Sequence, residues 1–189
     1  MRTWLLLLWC LPGWCSAAAG WDVNQLMSGL AQVKESRGRF VESKTLSVLN
    51  RPLESSGTLL FQAPGHLEKR TRLPREETLV LDQGVLTIDS PARNVKRTLV
   101  LQEYPAIWAI VESIRSTLAG DLPTLERFYT VELKGEAARW TMRLLPLERR
   151  TREVIREIRI TGRGHHIDSI ETRESNGDHA LMKIVEVAP

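Results

Sequence analysis

From Phe40 onward, apolar residues fall at every second position in one segment after another, and the gaps between segments are only a few residues long. Side chains spaced with period two stand on opposite faces of a strand. Gaps this short join antiparallel neighbours, because a parallel pair needs a crossover of a dozen residues or more. The first run is RFVESKTLSV, SGTLLFQ, HLEKRTRL, ETLVL, VLTID and VKRTLVL, ending at Leu101. Asp82-Gln83-Gly84 is a hairpin connection with glycine where positive φ is expected. A second run, YTVEL, RWTMRLL, EVIREIRI, HHIDSIET and ALMKIVEV, is punctuated by Lys134-Gly135-Glu136-Ala137, Gly162-Arg163-Gly164 and Asn176-Gly177-Asp178.

Helical spacing appears in two places. In WDVNQLMSGLAQVKES, Val23, Leu26, Met27, Leu30 and Val33 form one apolar stripe, Asp22 and Gln25 suit a capping box, and Arg37-Gly38-Arg39 is the expected stop. Between the two strand runs, YPAIWAIVESIRSTLAG sets Ile107, Ile110, Val111, Ile114 and Leu118 on one side, with Pro105 in the first turn and Gly120 as the stop. A shorter helical piece is expected in LPTLERF. A long antiparallel sheet interrupted by helices predicts an α+β fold, and a sheet of this length twists and curls so that helices cover its concave face.

The N-terminal segment reads as a leader. Arg2 precedes the apolar stretch WLLLLWCLPGW, and Ser16-Ala17-Ala18-Ala19 offers small residues for cleavage. The expectation is a signal peptide over 1–19, cleaved, and one domain over 20–189. A lipid anchor at Cys10 or Cys15 is disfavoured because Trp9 and Trp14 stand where that processing needs a small residue. Both cysteines would leave with the leader, so the remaining domain would hold together without disulfides. Losing Arg2 takes the formal charge from +3 to +2, too weak to point to nucleic acid. No second stretch is apolar enough to span a membrane.

Catalytic and nucleotide motifs are missing from the sequence: no G-x-S-x-G, no P-loop pattern and no H-E-x-x-H. His165-His166 with Asp168, with His179 as an optional fourth, is the best metal candidate. Adjacent strand residues point to opposite faces, however, so these read as solvated turn residues and no metal or cofactor is expected. The arginine run LERRTREVIREIRITGRG is interleaved with Glu148, Glu153 and Glu157, which suits a solvated face with cross-strand charge pairs. An enzyme built on Asp82 and Asp89 beside His66 has no supporting spacing, so no enzymatic activity is expected. What remains is an excess of aliphatic residues in the strands, which serves either an ordinary core or a cavity for an acyl chain under the Tyr104–Leu118 helix.

The order of segments resembles the LolA-like periplasmic carriers over nearly all of the chain that follows the expected leader. The residues that carry the resemblance are Phe40-Val41-Glu42, Gly57-Thr58-Leu59 leading to Ala63-Pro64, Pro74, and Asp82-Gln83-Gly84. It implies a half-open β-barrel of about eleven strands, an N-terminal helix and a mid-chain helical lid. It also implies a carrier that binds acyl chains of a lipoprotein or lipid and moves them between membranes without its own energy source. The implied carrier is a monomer in the periplasm, with an inner-membrane donor and an outer-membrane acceptor protein. The family's latch arginine falls on Ala63, and positions often aromatic in the family are Leu67, Lys69, Thr87 and Asp89. Candidate lining residues are Leu59, Phe61, Leu79, Leu81, Leu86, Leu99 and Leu101, with Ile107, Trp108, Ile110, Val111 and Ile114 on the lid. The alternative is a regulator on the same scaffold that senses lipid or lipoprotein and binds a protein.

Overall fold

The computed structural model describes residues 21–187, so the expected leader lies outside the described residues. Its eleven strands are β1 (Glu35–Thr45), β2 (Leu53–Gln62), β3 (His66–Leu73), β4 (Glu77–Asp82), β5 (Val85–Ser90), β6 (Val95–Val100), β7 (Tyr129–Glu136), β8 (Arg139–Pro146), β9 (Ile155–Arg163), β10 (His166–Glu174) and β11 (His179–Glu186). All lie in one sheet ordered β6-β5-β4-β3-β2-β1-β11-β10-β9-β8-β7. Each run is an antiparallel meander, and the pairing of β1 with β11 welds the two together, Phe40 opposite Ile184 and Glu42 opposite Met182. The ends, β6 and β7, do not meet, so the curved sheet stays open. This is the expected α+β architecture, a single curled antiparallel sheet with helices over it.

Among the described residues, four α-helices accompany the sheet: α1 (Val23–Leu30), α2 (Pro105–Ala119), α3 (Leu122–Phe128) and α4 (Arg149–Arg152). Asp22 caps α1 by accepting from the Gln25 backbone N–H at 2.9 Å. The helix is shorter than its apolar stripe suggests, with Ala31 as its C-cap. Arg37-Gly38-Arg39, expected to stop it, lies inside β1, opposite Leu60, Leu59 and Thr58 of β2. Two flanking strands supply ladder bonds there, and they outweigh the helical periodicity that runs on to Val33. At the end of α2, Gly120 adopts φ 66°, and a Cβ on it would lie 2.2 Å from the Met27 carbonyl oxygen. That close approach locks α2 against the end of α1. The four-residue α4 has no sequence-level expectation behind it.

The packed core occupies one half of the concave face. Tyr129, Trp140, Met142, Leu144, Ile158 and Ile160 of β7–β9 are almost fully buried, together with Leu26 and Leu30 of α1, Ala109 of α2 and Leu125 of α3. The Trp140 indole N–H donates to the Gly164 carbonyl at 3.0 Å, so its polar atom is satisfied inside the core. On the other face of these strands, charges pair across the ladder as expected. Arg143 meets Glu157 at 3.0 Å and Glu132 at 3.3 Å, while Arg159 meets Glu157 at 2.7 Å and Glu171 at 3.5 Å. Burial acts to raise the Glu157 carboxyl, but hydrogen bonds from Arg143 and Arg159 outweigh it and hold the group below the usual carboxylate range.

Candidate functional site

The other half of the concave face is not filled. β1–β5 bring Leu59, Phe61, Leu67, Leu79, Leu81 and Leu86 to one side of the sheet, since these residues face one another in register: Phe61 opposite Leu67, Leu67 opposite Leu81, and Leu81 opposite Leu86. Ile170 of β10 and Met182 and Ile184 of β11 continue that surface. Above it lies α2, presenting Ile110, Val111, Ile114 and Leu118. Between sheet and helix is a cavity of about 360 Å³.

The orientation of α2 departs from the usual rule. Its buried positions are Ala109, Glu112, Ser113, Ser116 and Thr117, which are small or polar. Ile110, Val111, Ile114 and Leu118 are less buried than these, because they face the void. Local bonds satisfy the polar stripe: Ser113 Oγ donates to the Ile110 carbonyl and Thr117 Oγ1 to the Ser113 carbonyl, both at 2.6 Å, and Ser116 Oγ donates to Glu112 at 3.1 Å. The apolar stripe, which ordinarily seeks the core, is left for something else to cover.

Five of the expected lining residues, Leu59, Phe61, Leu79, Leu81 and Leu86, border this cavity; Leu99 and Leu101 do not. Leu99 sits opposite Leu86 on the same face but in the edge strand β6, one strand too far out. Leu101 lies in a 3-10 turn after β6, fully buried away from the void. On the helix, Ile110, Val111 and Ile114 border the cavity, whereas Ile107 points into solvent and Trp108 stacks edge-on against Phe128, 5.3 Å between ring centroids. Leu118, Leu30, Val33 and the aliphatic residues of β10 and β11 were not among the expected lining. The alternation in HHIDSIET and ALMKIVEV marks the strands, but only the β1–β11 pairing brings them beside β2 and β3.

A second feature of the cavity is polar. Lys69 Nζ meets Glu42 Oε2 at 2.6 Å and sits 4.8 Å from the centroid of the Phe40 ring. Ser55 Oγ donates to the same Glu42 oxygen at 3.3 Å. Nearest α1, Ser36 donates to Glu186 at 3.0 Å and His166 contacts the other oxygen of that carboxylate. Glu186 is opposite Gly38 and Glu42 lies four residues further along β1, so the two polar groups are about 13 Å apart along the strand.

The other chemical candidates do not assemble. Asp168 is engaged by Arg163 through two bonds of 2.9 and 2.8 Å, and the His165 ring packs where a Cβ on Gly29 would be. Among the described residues no group of three His, Cys, Asp or Glu could hold a metal ion. His66 and Asp82 approach only to 3.9 Å, and Asp89 pairs with Lys96 at the other end of β5. Among the described residues, no helix is long and apolar enough to cross a membrane.

Residues 15–186 match the family described as outer membrane lipoprotein carrier protein LolA-like. The chain belongs to the LolA-like family. Its family is thus one of carriers rather than of enzymes. No curated protein matches it in sequence. Among solved structures, it is similar to a LolA superfamily protein from Nitrosomonas europaea, at 7% identity and TM-score 0.46 over 86% of this chain and 91% of that one. It is also similar to a DUF1329 family protein from Desulfovibrio piger, at 11% identity and TM-score 0.48 over 86% and 90%. A third is from the MucA/MucB complex of Pseudomonas aeruginosa, at 14% identity and TM-score 0.46 over 88% of this chain and 56% of that one.

In this LolA-like chain the roof is tied to the sheet by Arg115 of α2. Its guanidinium reaches the Pro64 carbonyl at 3.4 Å, in the β2–β3 turn next to Ala63, and its stem lies 3.2 Å from where a Cβ on Gly65 would be. Glu112 at 2.8 Å, Ser116 at 3.0 Å and Asp121 at 3.2 Å hold the same guanidinium. Burial works against the charge, and the two carboxylates outweigh it, raising Arg115 above its ordinary value. The contact between turn and roof is made by a side chain that belongs to the roof.

Proposed function

We propose that this LolA-like chain is an exported, monomeric periplasmic carrier that holds an acyl chain between α2 and the β1–β5 half of the sheet, and passes it on without catalysis. The observation that carries the reading is the inversion of α2, whose aliphatic stripe lines a void while its Ser, Thr and Glu side is buried. Leu59, Phe61, Leu79, Leu81 and Leu86 would grip the chain from the sheet, and Ile110, Val111 and Ile114 from the roof. The leader pattern supports export. An acyl chain of ~14 methylenes is held in a membrane by ~11 kcal/mol. Only an enclosed apolar surface of comparable extent can compete with that. The cavity of about 360 Å³ falls within the usual size range of small-ligand sites. With no nucleotide motif in the sequence, the energy for loading and release must come from donor and acceptor membrane proteins.

Native mass spectrometry of protein purified from periplasm, followed by extraction, tests the reading. The expected result is an acyl lipid bound one to one, displaced by a neutral fluorescent acyl probe. Protein that is empty and also fails to bind the probe would sink the carrier reading.

A further inference from the structure

The charges inside the cavity say which acyl compounds it can hold. Among the described residues Lys69 is its one lysine, and Glu42, Glu68 and Glu186 belong to the same lining. Glu68 turns to Arg70, and Glu186 is taken by Ser36 and His166. The Lys69 ammonium is pinned between Glu42 and the face of Phe40, which leaves hydrogen-bonding capacity on Nζ but no net positive charge at that point. The Glu42 and Lys69 side chains are both about three-quarters buried, at 21% and 24% exposure.

Resting on the acyl-chain reading, we propose that the cavity selects chains whose polar end is uncharged, an ester or an amide, and rejects the free fatty acid. A carbonyl at the head accepts a hydrogen bond from Lys69 Nζ, and an amide N–H at the same point can donate to Glu42. A free carboxylate brought to Lys69 also meets Glu42, a like charge a few ångströms away in a site shielded from water, where repulsion is strong. The Glu42–Lys69 pair thus acts as a filter: it offers a neutral dipole a donor and an acceptor while cancelling the attraction an anion would feel. The histidine end of the cavity gives no comparable site, because Ser36 and His166 take both oxygens of its carboxylate, whereas Ser55 and Lys69 share one oxygen of Glu42.

The experiment compares three ligands of one chain length, the fatty acid, its methyl ester and its primary amide, by isothermal titration calorimetry at neutral pH below their aggregation limits. The ester and amide are expected to bind at least about tenfold more tightly than the acid, the scale of a like-charge contact in a shielded site. In Glu42→Gln, Lys69 is released from its partner, and the acid should rise to match or exceed the ester. Lys69→Met should weaken the amide and ester while leaving the acid poor. Equal binding of all three by the unaltered protein would overturn the filter and leave the carrier reading standing. An acid that stays excluded in a folded Glu42→Gln variant would overturn it as well. Failure of all three to bind would overturn the acyl-chain reading and the filter with it. The comparison in the unaltered protein needs no variant to fold.

Discussion

One sheet carries two different interiors. On β7–β9 the concave face holds Trp140, Met142 and Leu144 at 1% exposure or less, packed beneath α1 and α3. On β2–β5 the same face holds Phe61 and Leu81 at 3% exposure but Leu59, Leu79 and Leu86 only half-buried, beneath α2 with a void between. Both halves alternate apolar and polar residues in the same way. The difference lies in what sits above them: two helices with Leu26, Leu30 and Leu125 pointing down, against one helix tied mainly to its neighbouring helices and to a turn. A filled half supplies stability, and the unfilled half can then stay open at little cost to the fold.

If that division is right, truncation should hurt one half far more than the other. Trp140→Ala is expected to cost about 3–5 kcal/mol, the range for removing a large buried aromatic, read by urea denaturation. Arg115→Met leaves Glu112 buried without its cation and loosens the roof, at about 1–3 kcal/mol for an unsatisfied buried polar group. Hydrogen exchange should show the increase in α2 and the β2–β3 turn rather than in β7–β9. Leu79→Ala only enlarges an existing void, so its cost should be about 1 kcal/mol or less, the transfer term of a half-buried side chain, while probe affinity falls. Should Leu79→Ala prove as costly as Trp140→Ala, the two interiors would not differ as described.

The smallest effect is electrostatic and belongs to the filled half. Glu157 has a folded-state pKa below the ordinary carboxylate value. Its stabilisation is therefore present above the unfolded-state value of about 4.3 and is lost as pH falls through the folded value beneath it. Glu157→Gln should lower stability at neutral pH by under about 1 kcal/mol, since its arginine partners remain a third or more exposed. Denaturation followed with falling pH should lose less stability below pH about 4 in the variant than in the parent. An unchanged acid limb would show that the convex charge network contributes nothing.

Much of the fold was legible in local pattern. Period-two runs marked the strands, Gly120 marked the end of α2, and Asp22 marked the start of α1. The cavity was legible only in part. Leu59, Phe61, Leu79, Leu81 and Leu86 were found because they alternate on consecutive hairpins, whose register follows from short turns. Leu99 was misplaced because alternation gives a residue's face but not how far the roof extends across the sheet. Ile107 shares the spacing of the α2 stripe and Trp108 follows it, yet both lie at the helix's entry, where Phe128 and solvent are the neighbours. Ile170, Met182 and Ile184 were missed because the β1–β11 contact joins residues far apart in the chain, and nothing in either strand alone names its partner.

The sequence by itself determined the elements, their antiparallel order within each run and the apolar face of each strand, because these depend on interactions between near neighbours. Only the tertiary structure decided which half of the sheet would be filled. It also turned the apolar stripe of α2 toward the void and brought Glu42 and Lys69, on strands separated by β2, into one ion pair. Those outcomes depend on how the curled sheet closes around its helices, and that is set by packing over long sequence separations.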